Sequence, residues 1–243
     1  MTQPEMRRID SMKELNQILA AFIREKFEGR EEIRILEAGC GNRWPLDLGA
    51  VRFHLTGIDI DAEGLELRKE KEKDLDVAIL DDLTTVELPA GQFDVIYSSY
   101  VLEHIDGAEL AMENFVRWLK PGGYMLLKFP NRDSVFGFLT RSLPFRLHVL
   151  YKKYIYQMPH AGEPGHGPFP TVYDRVVSRR GMHAFCDRHK LEILDEYCTD
   201  FYLDPFGALK PVVKLGLKGI EIMSFGKLDS SHNNLVYVIR KPA

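Results

Sequence analysis

The sequence predicts an α/β fold: a Rossmann-like, mostly parallel seven-stranded sheet with helices on both faces and an inserted lid region after the fifth strand. Three observations predict it. From residue 33 onward short apolar runs alternate with helical or turn-rich segments, the pattern of parallel strands joined by crossover helices. The first run enters a glycine-bearing turn, Gly39-Cys40-Gly41. The second ends about twenty residues later in an acidic residue, Asp59.

In chain order, Met12, Leu15, Ile18, Leu19, Phe22, Ile23 and Phe27 fall at helical spacing and close near Gly29. Strands are expected over 33–37, 55–60, 77–80, 95–98 and 124–129, with helices over 62–71 and 108–119. Lys120-Pro121-Gly122-Gly123 stops the latter. Residues 132–170 lose this regularity and mix aromatic, basic and proline-glycine residues, including the run from His160 to Pro168. Order resumes at Ser178, an N-cap for a helix over 179–189. A strand over 191–197, a helix over 206–223 and a strand over 235–240 complete the chain.

Composition narrows the function classes. Hydrophobic residues at 45% and charged residues at 28% describe a chain that can bury a core. A net charge of −4 gives no electrostatic reason to bind a polyanion, so no nucleic-acid partner is expected. The three cysteines, Cys40, Cys186 and Cys198, lack a zinc or disulfide spacing and fit a reducing compartment. Met1 to Asp10 lacks the apolar stretch of a secretory signal, and no segment approaches the roughly 20 apolar residues that span a bilayer. A cytoplasmic protein without integral membrane association is expected.

Glycines in the turn at 39–41 let a ligand approach the backbone with no Cβ in the way, and Asp59 is placed to accept hydrogen bonds from both hydroxyls of a ribose. Together they propose a nucleoside ligand. A nicotinamide-binding fold would share these features. The stretches "ILEAGCG", "TGIDID", "LPAGQFDVIYSSYVLEHI" and "LKPGGYMLLKFPN" go further. Their order resembles the class I S-adenosylmethionine methyltransferases, particularly the branch with the ubiquinone and menaquinone methyltransferases, over residues 33–131.

The resemblance implies S-adenosylmethionine as cofactor and assigns residues to it. Glu37, Gly39 and Gly41 would surround its methionine part, and Asp59 would hold the ribose. Ile60 would pack on the adenine, which Asp82 with Leu83, or else Asp81, would meet at its edge and ring. Ser98 and Ser99 would line the end of the fourth strand near the sulfonium. Where many relatives have a third glycine, this chain has Asn42-Arg43-Trp44-Pro45. The expected organisation is one domain over 1–243: an N-terminal helix (1–30), a cofactor-binding core (31–131), a lid or substrate insertion (132–177) and the rest of the core (178–243).

Methyl transfer to an alcohol needs alignment of nucleophile and methyl and removal of a proton. His104, after Glu103 in "YVLEHI", is the candidate base, against a packing or capping role for the following helix. Some ubiquinone-pathway relatives carry an acidic residue three positions before the glutamate and bind a divalent metal; Tyr100 stands there, and no metal is expected. His160 and His166, with Tyr173 and Asp174, are placed by family comparison over the acceptor. His166 joins His104 and Glu103 as a catalytic candidate. The basic and aromatic run from Phe136 to Tyr156 reads as an amphipathic helix, or as a surface for a lipid, an anionic acceptor or a membrane.

The expected function is O-methylation of a small or medium-sized hydroxylated acceptor: a glycan, polyketide or other natural product. Methylation at carbon, nitrogen or carboxylate on the same fold is the alternative, as is a non-catalytic cofactor-binding regulatory subunit. A short-chain reductase would need a lysine four residues after its tyrosine, and Tyr151 has Ile155 there. A homodimer is compatible with this reading.

Overall fold

The computed structural model describes residues 6–163, 167–199 and 201–243. Its strands are β1 (Arg7–Ile9), β2 (Ile33–Ala38), β3 (Phe53–Asp59), β4 (Val77–Leu80), β5 (Phe93–Ser99), β6 (Leu119–Pro130), β7 (Glu192–Thr199) and β8 (Asn234–Arg240). They form one sheet in the order β1-β7-β8-β6-β5-β2-β3-β4. Among the described residues only β8 runs against its neighbours, β6 and β7. The sheet therefore has eight strands rather than the expected seven. The additional one is β1, three residues that pair in parallel with β7 at the edge.

Helices cover both faces because their apolar stripes match the alternation of the strands. Helix α1 (Met12–Lys26) is capped by Ser11, whose Oγ accepts from the Glu14 N–H at 3.1 Å. It buries Leu15, Leu19 and Ile23 against Ile35, Val95, Leu126 and Val236. On the opposite face, α3 (Ala108–Trp118) and α6 (Arg179–His189) bury Phe115, Trp118, Met182 and Phe185 against Leu36, Ile96, Leu127 and Tyr237. Ser178 caps α6 through the Gly181 N–H at 3.0 Å, as its sequence position predicts.

Three segments depart from the expected elements. The helix over 62–71 is α2 (Ala62–Glu66) running into a wider π-helical turn, Leu67–Glu72. The irregular stretch after β6 contains two helices, α4 (Val135–Ser142) and α5 (Phe145–Tyr154). The final helix starts late: Phe201–Leu209 is a tighter 3₁₀ segment with a kink at Gly207, and α7 spans Lys210–Met223. Among the described residues no helix is long and apolar enough to cross a membrane.

Candidate active site

Strand order reverses at β2, which lies between β3 and β5. In an open parallel sheet the crevice at the carboxyl ends of such strands is where ligands bind. The turns after β2 and β5 meet there: a Cβ built on Gly39 would lie 2.2 Å from Val101 Cγ2. Gly39 also has φ +73°, so both space and backbone demand glycine. Gly41 differs, with φ +51° but nothing within 4 Å of its missing Cβ. Its bare side opens onto space a ligand can take.

Asp59, at the end of β3, fastens this turn: its Oδ2 accepts the Gly41 N–H at 2.9 Å and its Oδ1 the Asp61 N–H at 3.0 Å. A carboxylate has about four acceptor sites, so capacity for ribose hydroxyls remains. Ile60 beside it is 75% exposed, an apolar side chain standing ready for a flat partner. Ser98 is buried, and its Oγ meets no hydrogen-bond partner among the described residues. Leu83 is buried in the core, whereas Asp82 is exposed, with Oδ1 accepting from the Thr84 N–H and hydroxyl at 2.7 Å. Open glycine, carboxylate, exposed isoleucine and unpartnered serine fit a nucleoside with an amino-acid arm.

Glu37 has a partner that the sequence did not suggest. Its Oε2 lies 2.8 Å from Arg68, which is fully buried. Arg68 also donates to the Cys40 carbonyl at 2.5 Å and to Asp74 at 2.6 Å, and Asp74 accepts the Trp44 N–H at 2.9 Å. Glu37, Arg68 and Asp74 thus hold the backbone of residues 40–44, where the third glycine of many relatives is replaced. Burial raises the Glu37 carboxyl above its usual range, and the Arg68 guanidinium opposes that shift and favours the charged form. Lys128 on β6 is a second buried charge outside the sequence reading. It donates to Asn16 Oδ1 at 2.6 Å, lies over the Tyr97 ring, and burial pushes its ammonium down to about 8.

Next to the crevice lies a largely apolar cavity of about 760 Å³. Tyr100, Glu103 and His104 from the turn after β5 form one wall, with Phe136, Leu139, Leu147, Tyr151, Phe169, Tyr173, Val213 and Leu217 around the rest. Tyr100 adopts φ +59°, a left-handed conformation uncommon outside glycine. The Glu103 carbonyl accepts the N–H groups of Val172 at 2.8 Å and Tyr173 at 3.1 Å, tying this wall to the segment beyond the insertion.

Glu103 is buried, its Oε2 meets no hydrogen-bond partner among the described residues, and burial lifts its carboxyl to about 8. His104 Nδ1 lies 2.7 Å from the Pro170 carbonyl oxygen. A carbonyl only accepts, so Nδ1 carries the proton and Nε2 keeps its lone pair. Burial pushes the imidazole below its usual range, partly offset by the Pro170 bond. His104 Nε2 stands 3.8 Å from Glu103 Oε1.

His160 is exposed, pairs with Glu163 at 3.0 Å and is not among the residues that line the cavity. His166 lies outside the described residues. Tyr173 does line the cavity, while Asp174 accepts the Glu109 N–H at 3.4 Å at the start of α3.

A family model described as a methyltransferase domain matches residues 10–185. The chain belongs to the class I S-adenosylmethionine-dependent methyltransferases. Its cofactor is S-adenosylmethionine. The methyltransferase is 32% identical over 192 residues to phosphoethanolamine N-methyltransferase 1 of Zea mays, covering 74% of this chain and 38% of that protein. With the malonyl acyl-carrier-protein O-methyltransferase of Enterobacter lignolyticus it shares 28% over 127 residues, 50% of this chain and 49% of the relative. Among solved structures the 4+2 cyclase SpnF is similar in fold at a TM-score of 0.57 and 15% identity, covering 93% of this chain and 80% of that one.

The methyltransferase matches between 22% and 52% of the length of these curated relatives. They include proteins named for methylation at nitrogen, oxygen and carbon. Membership in the family therefore leaves the methylated atom open.

Proposed function

We propose that this methyltransferase methylates an oxygen of a small or medium-sized hydroxylated acceptor with a largely apolar body, with His104 as proton acceptor. The observation that carries the proposal is the hydrogen bond from His104 Nδ1 to Pro170, which leaves a basic Nε2 on the cavity wall. The apolar lining favours polyketide-like or other natural-product hydroxyls over glycans. Residues 132–177 are the proposed lid, since α4 and α5 supply much of that lining. A reducing, cytoplasmic setting belongs to the same reading, as Cys40, Cys186 and Cys198 are free and buried.

S-adenosylmethionine supplies an electrophilic methyl group on its sulfonium. The chain supplies position and proton traffic. Gly39, Gly41, Asp59, Ile60 and Ser98 would hold the cofactor at the carboxyl ends of β2, β3 and β5, with Asp82 and Leu83 at the adenine edge. Val101, in contact with the Gly39 turn, lies three residues before His104 and couples the two halves of the site. Glu103 keeps its proton at neutral pH and donates a hydrogen bond to an acceptor oxygen, fixing its orientation. His104 Nε2 takes the hydroxyl proton as the oxygen turns nucleophilic. Exclusion of water by the aromatic walls strengthens both contacts.

The test is incubation with methyl-labelled S-adenosylmethionine and a panel of apolar phenols, alcohols, amines and carboxylic acids, with products read by mass spectrometry. Label on a phenol or alcohol oxygen is expected. Label on nitrogen or carbon alone overturns the proposal.

A further inference from the structure

Helix α7 is apolar on two sides. Val213, Leu217 and Ile220 pack inward with Phe136, Leu139 and Leu203. On the outer side Val212, Leu215, Ile222 and Met223 are 66–80% exposed, and Phe225 just beyond is 92% exposed. Spacings of three and seven residues place Val212, Leu215 and Ile222 along one stripe, with the small Gly216 and Gly219 between. A folded chain rarely leaves such a stripe bare without a use for it.

Charge says what the stripe meets. Residues 206–227 carry four lysines and one glutamate, in a chain of net charge −4. Lys214 is pushed down by burial and then by Arg8 and Lys210, against Asp10, and Lys210 and Lys218 pair with Asp204 and Glu221, so the flank keeps a net positive charge. A second copy placed symmetrically on this face would oppose like charges. An anionic bilayer supplies the opposite charge and an apolar interior together. Fourteen residues make a helix about 21 Å long, too short to span a membrane and suited to lying in its surface.

We propose that α7 docks the protein on the surface of an anionic lipid bilayer, bringing the cavity it lines to an acceptor dissolved in the membrane. The acceptor half rests on the methyl-transfer reading; docking itself does not.

The experiment is flotation of the full chain with phosphatidylcholine vesicles and with mixed phosphatidylcholine and phosphatidylglycerol vesicles. Cofactor affinity is measured by calorimetry on the same samples, so that loss of docking and failure of the cofactor reading are separate results. The wild type is expected to float with the mixed vesicles, less so at high salt. Leu215→Asp with Ile222→Asp, both at exposed positions, is expected to lower partitioning at least about tenfold. Lys214→Glu with Lys227→Glu is expected to remove the preference for anionic vesicles. Absence of binding, equal binding to both vesicle types, or partitioning untouched by these variants overturns the proposal. So does a wild-type dimer in sedimentation that L215D/I222D splits while vesicle binding is absent, because the stripe is then covered by a second copy.

Discussion

The guanidinium of Arg68 and the carboxylate of Glu37 lie 2.8 Å apart, both buried. Removing one partner of such a pair strands the other in a medium that solvates it poorly. Arg68→Met is expected to destabilise the fold by about 3–5 kcal/mol in urea unfolding. Adding Glu37→Gln removes the stranded charge and is expected to recover part of that loss. Equal stability of wild type and Arg68→Met would remove the ion pair from the list of what holds the turn.

The two turn glycines separate folding from binding. Gly39→Ala meets Val101 at 2.2 Å and is expected to impair folding, seen as a lowered Tm. Gly41→Ala meets open space and bears only the left-handed backbone cost of about 1–2 kcal/mol, yet is expected to lose cofactor affinity in calorimetry. Unchanged affinity in Gly41→Ala would move the cofactor off this turn.

Asp59→Ala is expected to weaken cofactor binding at least about tenfold, through the ribose contacts and through release of the Gly41 N–H it holds. Titration calorimetry reads this directly, and unchanged affinity contradicts the ribose assignment.

Burial holds the Glu103 carboxyl at about 8, above its unfolded value. The folded chain then keeps a proton that the unfolded chain releases, so this contribution is fully present below about pH 4.3. It is lost as pH rises to about 8. Glu103→Gln lacks this loss, and its Tm advantage over wild type is expected to grow between about pH 5 and about pH 8. A constant difference across that window contradicts a buried protonated acid. His104 and Glu103 add a kinetic counterpart: with the imidazole below the usual 6.5, turnover is expected to fall under that pH, and loss of the Glu103 proton is expected to lower it again as pH rises through about 8.

Much of this was legible in the sequence for physical reasons. The strands β2, β3, β5 and β6 are apolar runs punctuated by turn residues, and Ser178 announces α6 by its capping hydroxyl. Gly39, Gly41 and Asp59 are readable because their chemistry is local to a turn. Arg68 was not, since in "LRKEKEK" it looks like one charge of a solvated run, while its partners Glu37 and Cys40 are about thirty residues away. Lys128 is hidden similarly in a strand whose partner, Asn16, comes from the first helix. Three residues are too few to reveal the alternation of β1, which forms only because β7 offers an edge. The apolar residues of α4 and α5 line a cavity rather than the central core, so their periodicity did not stand out against the aromatic and basic residues around them.

Turnover of His104→Ala, measured with an acceptor that the wild type methylates on oxygen and with cofactor affinity determined on the same samples, tests the proton-acceptor role most directly. A fall of at least about a hundredfold in kcat with cofactor affinity unchanged is expected. Turnover within about threefold of wild type would contradict a base at His104 Nε2.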